Sequence, residues 1–99
     1  MAIDAIVLNE IDNVATSVQE LKAGQQAQVR LGREMHQVAV QEDIPYGHKF
    51  AFRPITRGDD ILKYGEVIGR ATGDIPAGHH AHVQNIESLR GRGDLRKEA

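Results

Sequence analysis

The sequence predicts a small, mainly β domain with one short helix near its start. Three observations carry that expectation. From Gln26 onward apolar residues recur at every second position, one turn signature appears four times, and only residues 13–22 show a helical spacing. Ninety-nine residues make one domain with a single modest core. The chain is 40% hydrophobic and 26% charged, a globular rather than a disordered composition. With two Phe, two Tyr and no Trp, the core must come from Val, Ile, Leu and Ala. That favours thin β packing over a wide enclosed cavity.

Residues 3–8 (IDAIVL) are short and rich in Ile and Val, and read as an opening strand. Asp12 then stands as an N-cap before Val14, Val18 and Leu21 at i, i+4 and i+7, with Gly24 as the C-terminal stop. This predicts a helix over 13–22. Ala27, Val29 and Leu31 alternate with Gln26, Gln28 and Arg30 as a half-buried strand does. Gly32-Arg33-Glu34 marks a turn, and His36, Val38 and Val40 continue the alternation on a second strand.

The recurring signature is an apolar residue three before a glycine: Leu21…Gly24, Ile44…Gly47, Ile55…Gly58 and Ile75…Gly78. It reads as a buried anchor, a tight turn and a glycine at positive φ. Pro45 and Pro76 occupy the turn position whose φ proline presets. Two of the four turns sit in near-copies, DIPYGHKFAF (43–52) and DIPAGHHAHV (74–83). Their repetition reads as recurrent hairpin chemistry rather than as a duplicated unit. Beyond Asn85 the patterning stops, so the domain is expected over 1–87 with a charged tail or linker over 88–99.

Charge and composition exclude several function classes. The formal charge is −2, with residues 1–48 at −4 and residues 49–99 at +2, too little basic excess for a nucleic-acid binder. No cysteine is present, which removes disulfides, thiolate metal sites and Cys nucleophiles. The opening residues lack the apolar run of a signal peptide, and no stretch approaches the ~20 apolar residues of a membrane span. A cytoplasmic protein without a membrane partner follows by default. Neither a phosphate-binding loop nor a Gly-x-Ser-x-Gly elbow occurs. The chain holds no self-sufficient catalytic set.

Chemistry concentrates in 43–85, which contains four of the five histidines and all four aromatics. On a strand His80 and His82 would project together, offering two imidazoles to one metal ion, while Ala81 and Val83 point to the core. The same spacing also suits the polar face of an exposed strand. His48 follows the equivalent glycine of the first copy and comes close if the two turns pair. Otherwise Glu66 or Asp74 would have to complete a ligand set. Lys49 and Arg53 share a face at strand spacing and offer a seat for a carboxylate, or simply cover a small sheet. Tyr64 and Glu66 flank Gly65 and suit acid–base or substrate contacts, or an ordinary charged turn.

The ordered set I-P-x-G-H-K-x-A, then Y-G-E-V-I-G-x-A-T, then D-I-P-A-G-x-x-x-H-V-x-N, with D-N-V-A and L-K-A-G upstream, covers roughly residues 3–90. It resembles the SAF-type N-terminal domain of the altronate and galactarate dehydratase family. The resemblance implies a β-clip fold with one helix and a role in sugar-acid dehydration. It implies a divalent metal, iron or manganese, and a larger catalytic domain or subunit as partner. Related two-subunit lyases of that family act on sulfolactate. The chain ends about where the larger domain would begin, so it reads as a detached small subunit or a piece cut at that boundary. Carried over by position, His48 and His82 become the catalytic candidates, Lys49, Arg53, Tyr64 and Glu66 the substrate contacts, and His80 with His82 the metal pair. Gln84 stands where the family's closing phrase has a second histidine. The alternative function is a non-catalytic module that binds a sugar acid or a protein. Self-association also suits a small β domain with open edges.

Overall fold

The computed structural model describes residues 2–88. Nine strands are β1 (Ala5–Val7), β2 (Val14–Ser17), β3 (Gln26–Leu31), β4 (Glu34–Ala39), β5 (Lys49–Ala51), β6 (Asp60–Lys63), β7 (Glu66–Ala71), β8 (His80–Ala81) and β9 (Ile86–Ser88). They form a six-stranded sheet in the order β4-β3-β1-β2-β5-β8 and a three-stranded sheet in the order β6-β7-β9. All pairings are antiparallel except β1 with β3. The mainly β expectation holds. No helix among the described residues is long and apolar enough to cross a membrane.

The expected helix at 13–22 is a strand instead. Val14–Ser17 is β2, paired on one side with β1 and on the other with β5. Its Val-Ala-Thr-Ser sequence is poor in strong helix formers, and a ten-residue helix is marginal by itself. A central strand satisfies the same backbone on both edges. Asp12 does cap amides, but distant ones: its carboxylate accepts from Tyr64 N at 2.9 Å and Gly65 N at 2.8 Å. Leu21, the third helical position, is instead fully buried beside Ile44.

The four turn anchors Leu21, Ile44, Ile55 and Ile75 are all buried, and Gly24, Gly47, Gly58 and Gly78 all have φ between 81° and 91°. The turns then pair. Leu21 and Ile44 exchange backbone hydrogen bonds at 2.9 and 2.8 Å, and Ile55 and Ile75 exchange theirs at 2.9 and 2.8 Å. Ala23 N donates to the Asp43 carboxylate as Arg57 N does to Asp74. Gly24 N donates to Val40 O as Gly58 N does to Ala71 O, and Gly47 N to Ser17 O as Gly78 N does to Ala51 O. The repetition therefore goes beyond local turn chemistry: the second pair of turns reproduces the hydrogen bonds of the first.

Each turn pair sits on its own apolar cluster. One gathers Val7, Leu21, Val29, Val40, Ile44 and Phe50; the other gathers Val14, Ala51, Ile55, Ile61, Ile75 and Ala81. At roughly 1.5–3 kcal/mol per buried Val, Leu, Ile or Phe, these clusters supply the main stabilising term. Strand β9 begins at Ile86, where no alternation announces it, because β7 offers a free edge. The rest of the expected tail, residues 89–99, lies outside the described residues.

Candidate functional site

Strand β5 leaves the second turn at His48, and β8 leaves the fourth at His79. The β5–β8 ladder sets Phe50 opposite His80 and Lys49 opposite Ala81. Ala81 is buried and ends the strand. The next residues turn back: His82 O accepts from Asn85 N at 3.0 Å and Ile86 N at 2.9 Å, while His82 N donates to Asn85 Oδ1 at 2.9 Å. Val83 is consequently 82% exposed rather than pointing to the core, because the alternation stops one residue earlier.

This arrangement brings His48, His80 and His82 together. His48 Nδ1 and His80 Nε2 lie 2.9 Å apart, at hydrogen-bond distance. His82 stacks on His48 with ring centroids 4.4 Å apart and planes 25° from parallel. One ring nitrogen from each of the three lies within 4.8 Å of the others. The third partner of His80 and His82 is thus His48. Neither Glu66 nor Asp74 belongs to the cluster, and the Asp74 carboxylate is engaged by Arg57 N.

His80 is held on four sides. Its amide donates to Glu42 Oε2 at 3.2 Å, its carbonyl accepts from Asn85 Nδ2 at 2.8 Å, and its Nδ1 lies 3.2 Å from Gln84 Nε2. The His48 ring occupies the fourth side. The same Glu42 oxygen contacts His79 Nδ1 at 3.0 Å, which holds that ring apart from the cluster. Burial first, then the neighbouring His48 and His82, lowers the His80 pKa, against a smaller upward pull from Glu42. Burial, then His48 and Lys49, lowers that of His82. Neutral imidazoles are favoured, and neutral imidazole is the form that ligates a metal or accepts a proton.

Lys49 is half-buried, and burial followed by the nearby Lys63 charge lowers its pKa. With Ile68, His82, Val83, Ile86 and Ser88 it lines a shallow depression of about 230 Å³. An anionic group entering there meets an ammonium beside an imidazole.

The other predicted contacts lie elsewhere. The Arg53 guanidinium donates to Asp12 O at 3.2 Å and Glu10 O at 2.8 Å, with its carbon 5.2 Å from the Phe52 ring centre. It ties the β1–β2 loop down. Tyr64 sits at positive φ (59°) in the β6–β7 turn, its ring 4.8 Å from Lys63 Nζ, beside a groove lined by Ile6, Leu8, Val14 and Val18. Glu66 opens β7 opposite Lys63 and is exposed. The structure gathers His48, Lys49, His80 and His82, and leaves Arg53, Tyr64 and Glu66 outside that group. Sequence reasoning missed Glu42 and Asn85 as supports. Asn85 had a local signal, its three-residue spacing from His82. Glu42 had none, lying 38 residues from His80.

The model of the altronate/galactarate dehydratase SAF domain matches residues 3–89. Altronate dehydratase of Escherichia coli (strain K12) is 38% identical over 83 residues, which are 84% of this chain and 16% of that protein. The (2R)-sulfolactate sulfo-lyase subunit alpha of Chromohalobacter salexigens is 36% identical over 93 residues, 91% of this chain and 99% of that one. Galactarate dehydratase (L-threo-forming) of E. coli is 40% identical over 75 residues, 74% of this chain and 13% of the enzyme. The chain thus spans about a sixth of the altronate dehydratases it matches. It belongs to the altronate/galactarate dehydratase SAF domain family.

Proposed function

We propose, from that membership, that the chain serves as the small subunit or N-terminal domain of a hydroxy- or sugar-acid lyase of the hydro-lyase type, working with a large catalytic subunit. The observation that carries this reading is the convergence of three imidazoles and Lys49 at one end of the β5–β8 ladder. The near-complete coverage of a protein named as one subunit of a sulfo-lyase supports a separate partner chain.

Elimination from a hydroxy acid removes the proton α to a carboxylate and breaks the bond to the β-substituent as the C=C bond forms, a hydroxyl leaving as water once protonated. This needs a base and a positive charge to hold the developing anion. Lys49 would orient the substrate carboxylate from the depression it shares with His82. The His48–His80–His82 cluster would supply imidazole for holding a divalent metal, iron or manganese, and for proton transfer. When bound, such a metal supplies Lewis-acid stabilisation. Three imidazole nitrogens within 4.8 Å of one another fit it. The remaining groups would come from the large subunit, since no complete catalytic set lies among the described residues.

The test is dehydration of altronate and galactarate and desulfonation of sulfolactate, measured with the large partner alone, with both chains, and with His48→Ala or His82→Ala. Turnover is expected only with both intact chains, and each variant should form the complex yet lose at least about 100-fold in rate, the usual scale for a general acid–base group. Full activity of the large chain alone would sink the proposal.

A further inference from the structure

We infer that His48, His80 and His82 form a complete three-imidazole metal seat that this chain loads without a partner, with Gln84 as the positioning residue that sets the ring of His80. The inference deepens the proposed function, on which it rests for the role of the metal but not for its binding.

Geometry gives the first support. A tetrahedral ion about 2.0–2.1 Å from each imidazole nitrogen holds those nitrogens about 3.3 Å apart. The His48 Nδ1–His80 Nε2 pair, at 2.9 Å, needs to open by only a few tenths of an ångström. The His82 nitrogen starts within 4.8 Å of the others and closes by side-chain rotation from its stacked position. The set needs no carboxylate and no residue from another chain. Three facial nitrogens also leave coordination positions open, as a site that meets substrate requires.

The supports of the ligands point the same way. Glu42 and Asn85 fix the backbone on both sides of His80, and Asn85 also holds the amide of His82. Gln84 then addresses the outer nitrogen of His80 at 3.2 Å. A ligating histidine usually donates its other N–H to a fixed acceptor, which selects the tautomer and orients the ring. Nε2 of His80 faces the cluster, so in the loaded site Nδ1 carries the hydrogen. The Gln84 amide meets either tautomer by a half-turn: NH₂ toward a bare Nδ1, carbonyl toward a protonated one. Gln84 therefore acts on the metal through His80 and is not itself a ligand. His79 follows the same turn but is committed to Glu42, which makes it an internal control.

Titrate the isolated full chain with Co²⁺ and with Zn²⁺, following ligand-field absorption, heat and the histidine ring resonances. One ion per chain is expected, with paramagnetic broadening of His48, His80 and His82 but not of His36. Removing any one of the three by Ala should weaken binding at least about 100-fold, whereas His79→Ala should change it less than threefold. These rings are half-exposed, and a thermal melt of each variant checks that it folds. Gln84→Leu should keep the single site but lose about 10–100-fold in affinity, the usual scale for an outer support. It should also scramble the His80 tautomer in ¹⁵N–¹H spectra, and Gln84→Glu should restore both. An isolated chain that binds no ion, or His79→Ala as damaging as His80→Ala, overturns the metal seat. Unchanged affinity and tautomer in Gln84→Leu overturn the role of Gln84. Metal bound as described in a chain that adds nothing to lyase turnover would count against the proposed function alone.

Discussion

Gly78 shows how one residue can be fixed twice over. Its φ of +87° disfavours a side chain, and a Cβ there would meet the Ala39 carbonyl oxygen at 2.0 Å. Gly24, at φ +91° in an equivalent turn, has nothing within 4 Å of the same atom. Gly24→Ala should cost about 1–2 kcal/mol, the left-handed penalty alone. Gly78→Ala should cost clearly more, because backbone must move in the turn that leads to the histidines. Urea unfolding of the two variants checks the order, and equal losses would mean that the close approach is relieved at no cost. Positive φ at these glycines was legible, since the apolar-x-x-Gly spacing is local chemistry. The tight contact at Gly78 was not, because Ala39 lies far back along the chain.

Among the elements, the β6–β7 hairpin depends on a residue fifty positions upstream. Its two-residue turn places both Tyr64 and Gly65 at positive φ, the conformation that matches the right-handed twist of paired strands. Tyr64 is strained there, and the two Asp12 bonds to the turn amides offset the strain. Asp12 also accepts from Asn9 N at 3.2 Å and is 1% exposed. Asp12→Ala leaves these donors without an acceptor, and a loss of about 3 kcal/mol is expected. Hydrogen exchange should quicken at Tyr64 and Gly65 more than in β3, and uniform quickening would contradict this local account. The sequence pointed to Asp12 as the N-cap of a helix; its carboxylate instead accepts from the amides of a distant β-turn. What it hid was the partner, since a pattern of apolar spacing at 14, 18 and 21 cannot tell a helix from a strand followed by a bridge. The strand won because β1 and β5 satisfy its backbone on both sides.

At the scale of the whole molecule, the histidine cluster makes the fold sensitive to mild acid. Unfolded, His80 and His82 take up protons near the ordinary value of 6.5; folded, burial and the mutual approach of the rings with Lys49 hold both lower, against the pull of Glu42 on His80. Over the interval between those values the unfolded chain binds more protons, so stability falls as pH drops below about 6.5. The urea midpoint should decrease from pH 7.5 to 5.5, and the decrease should shrink in His82→Ala. An identical slope in the variant would show that other groups set the pH response. The meeting of His48 with the His80–His82 pair was readable as a condition, that the two turns come together, and the β5–β8 ladder fulfils it. The supporting shell was not readable, because Glu42 reaches His80 across the fold.

The paired turns also show one backbone frame put to two uses. His48 and His79 hold matching backbone positions, each with its amide on a proline carbonyl and its own carbonyl taking up a β-strand amide. One has gone to the cluster and the other to Glu42. Two turns of one backbone geometry thus hold their histidines to different partners within a common frame. The specialised parts of this molecule are its departures from its own repeat, and His80, His82 and Gln84 all follow the second copy of the turn.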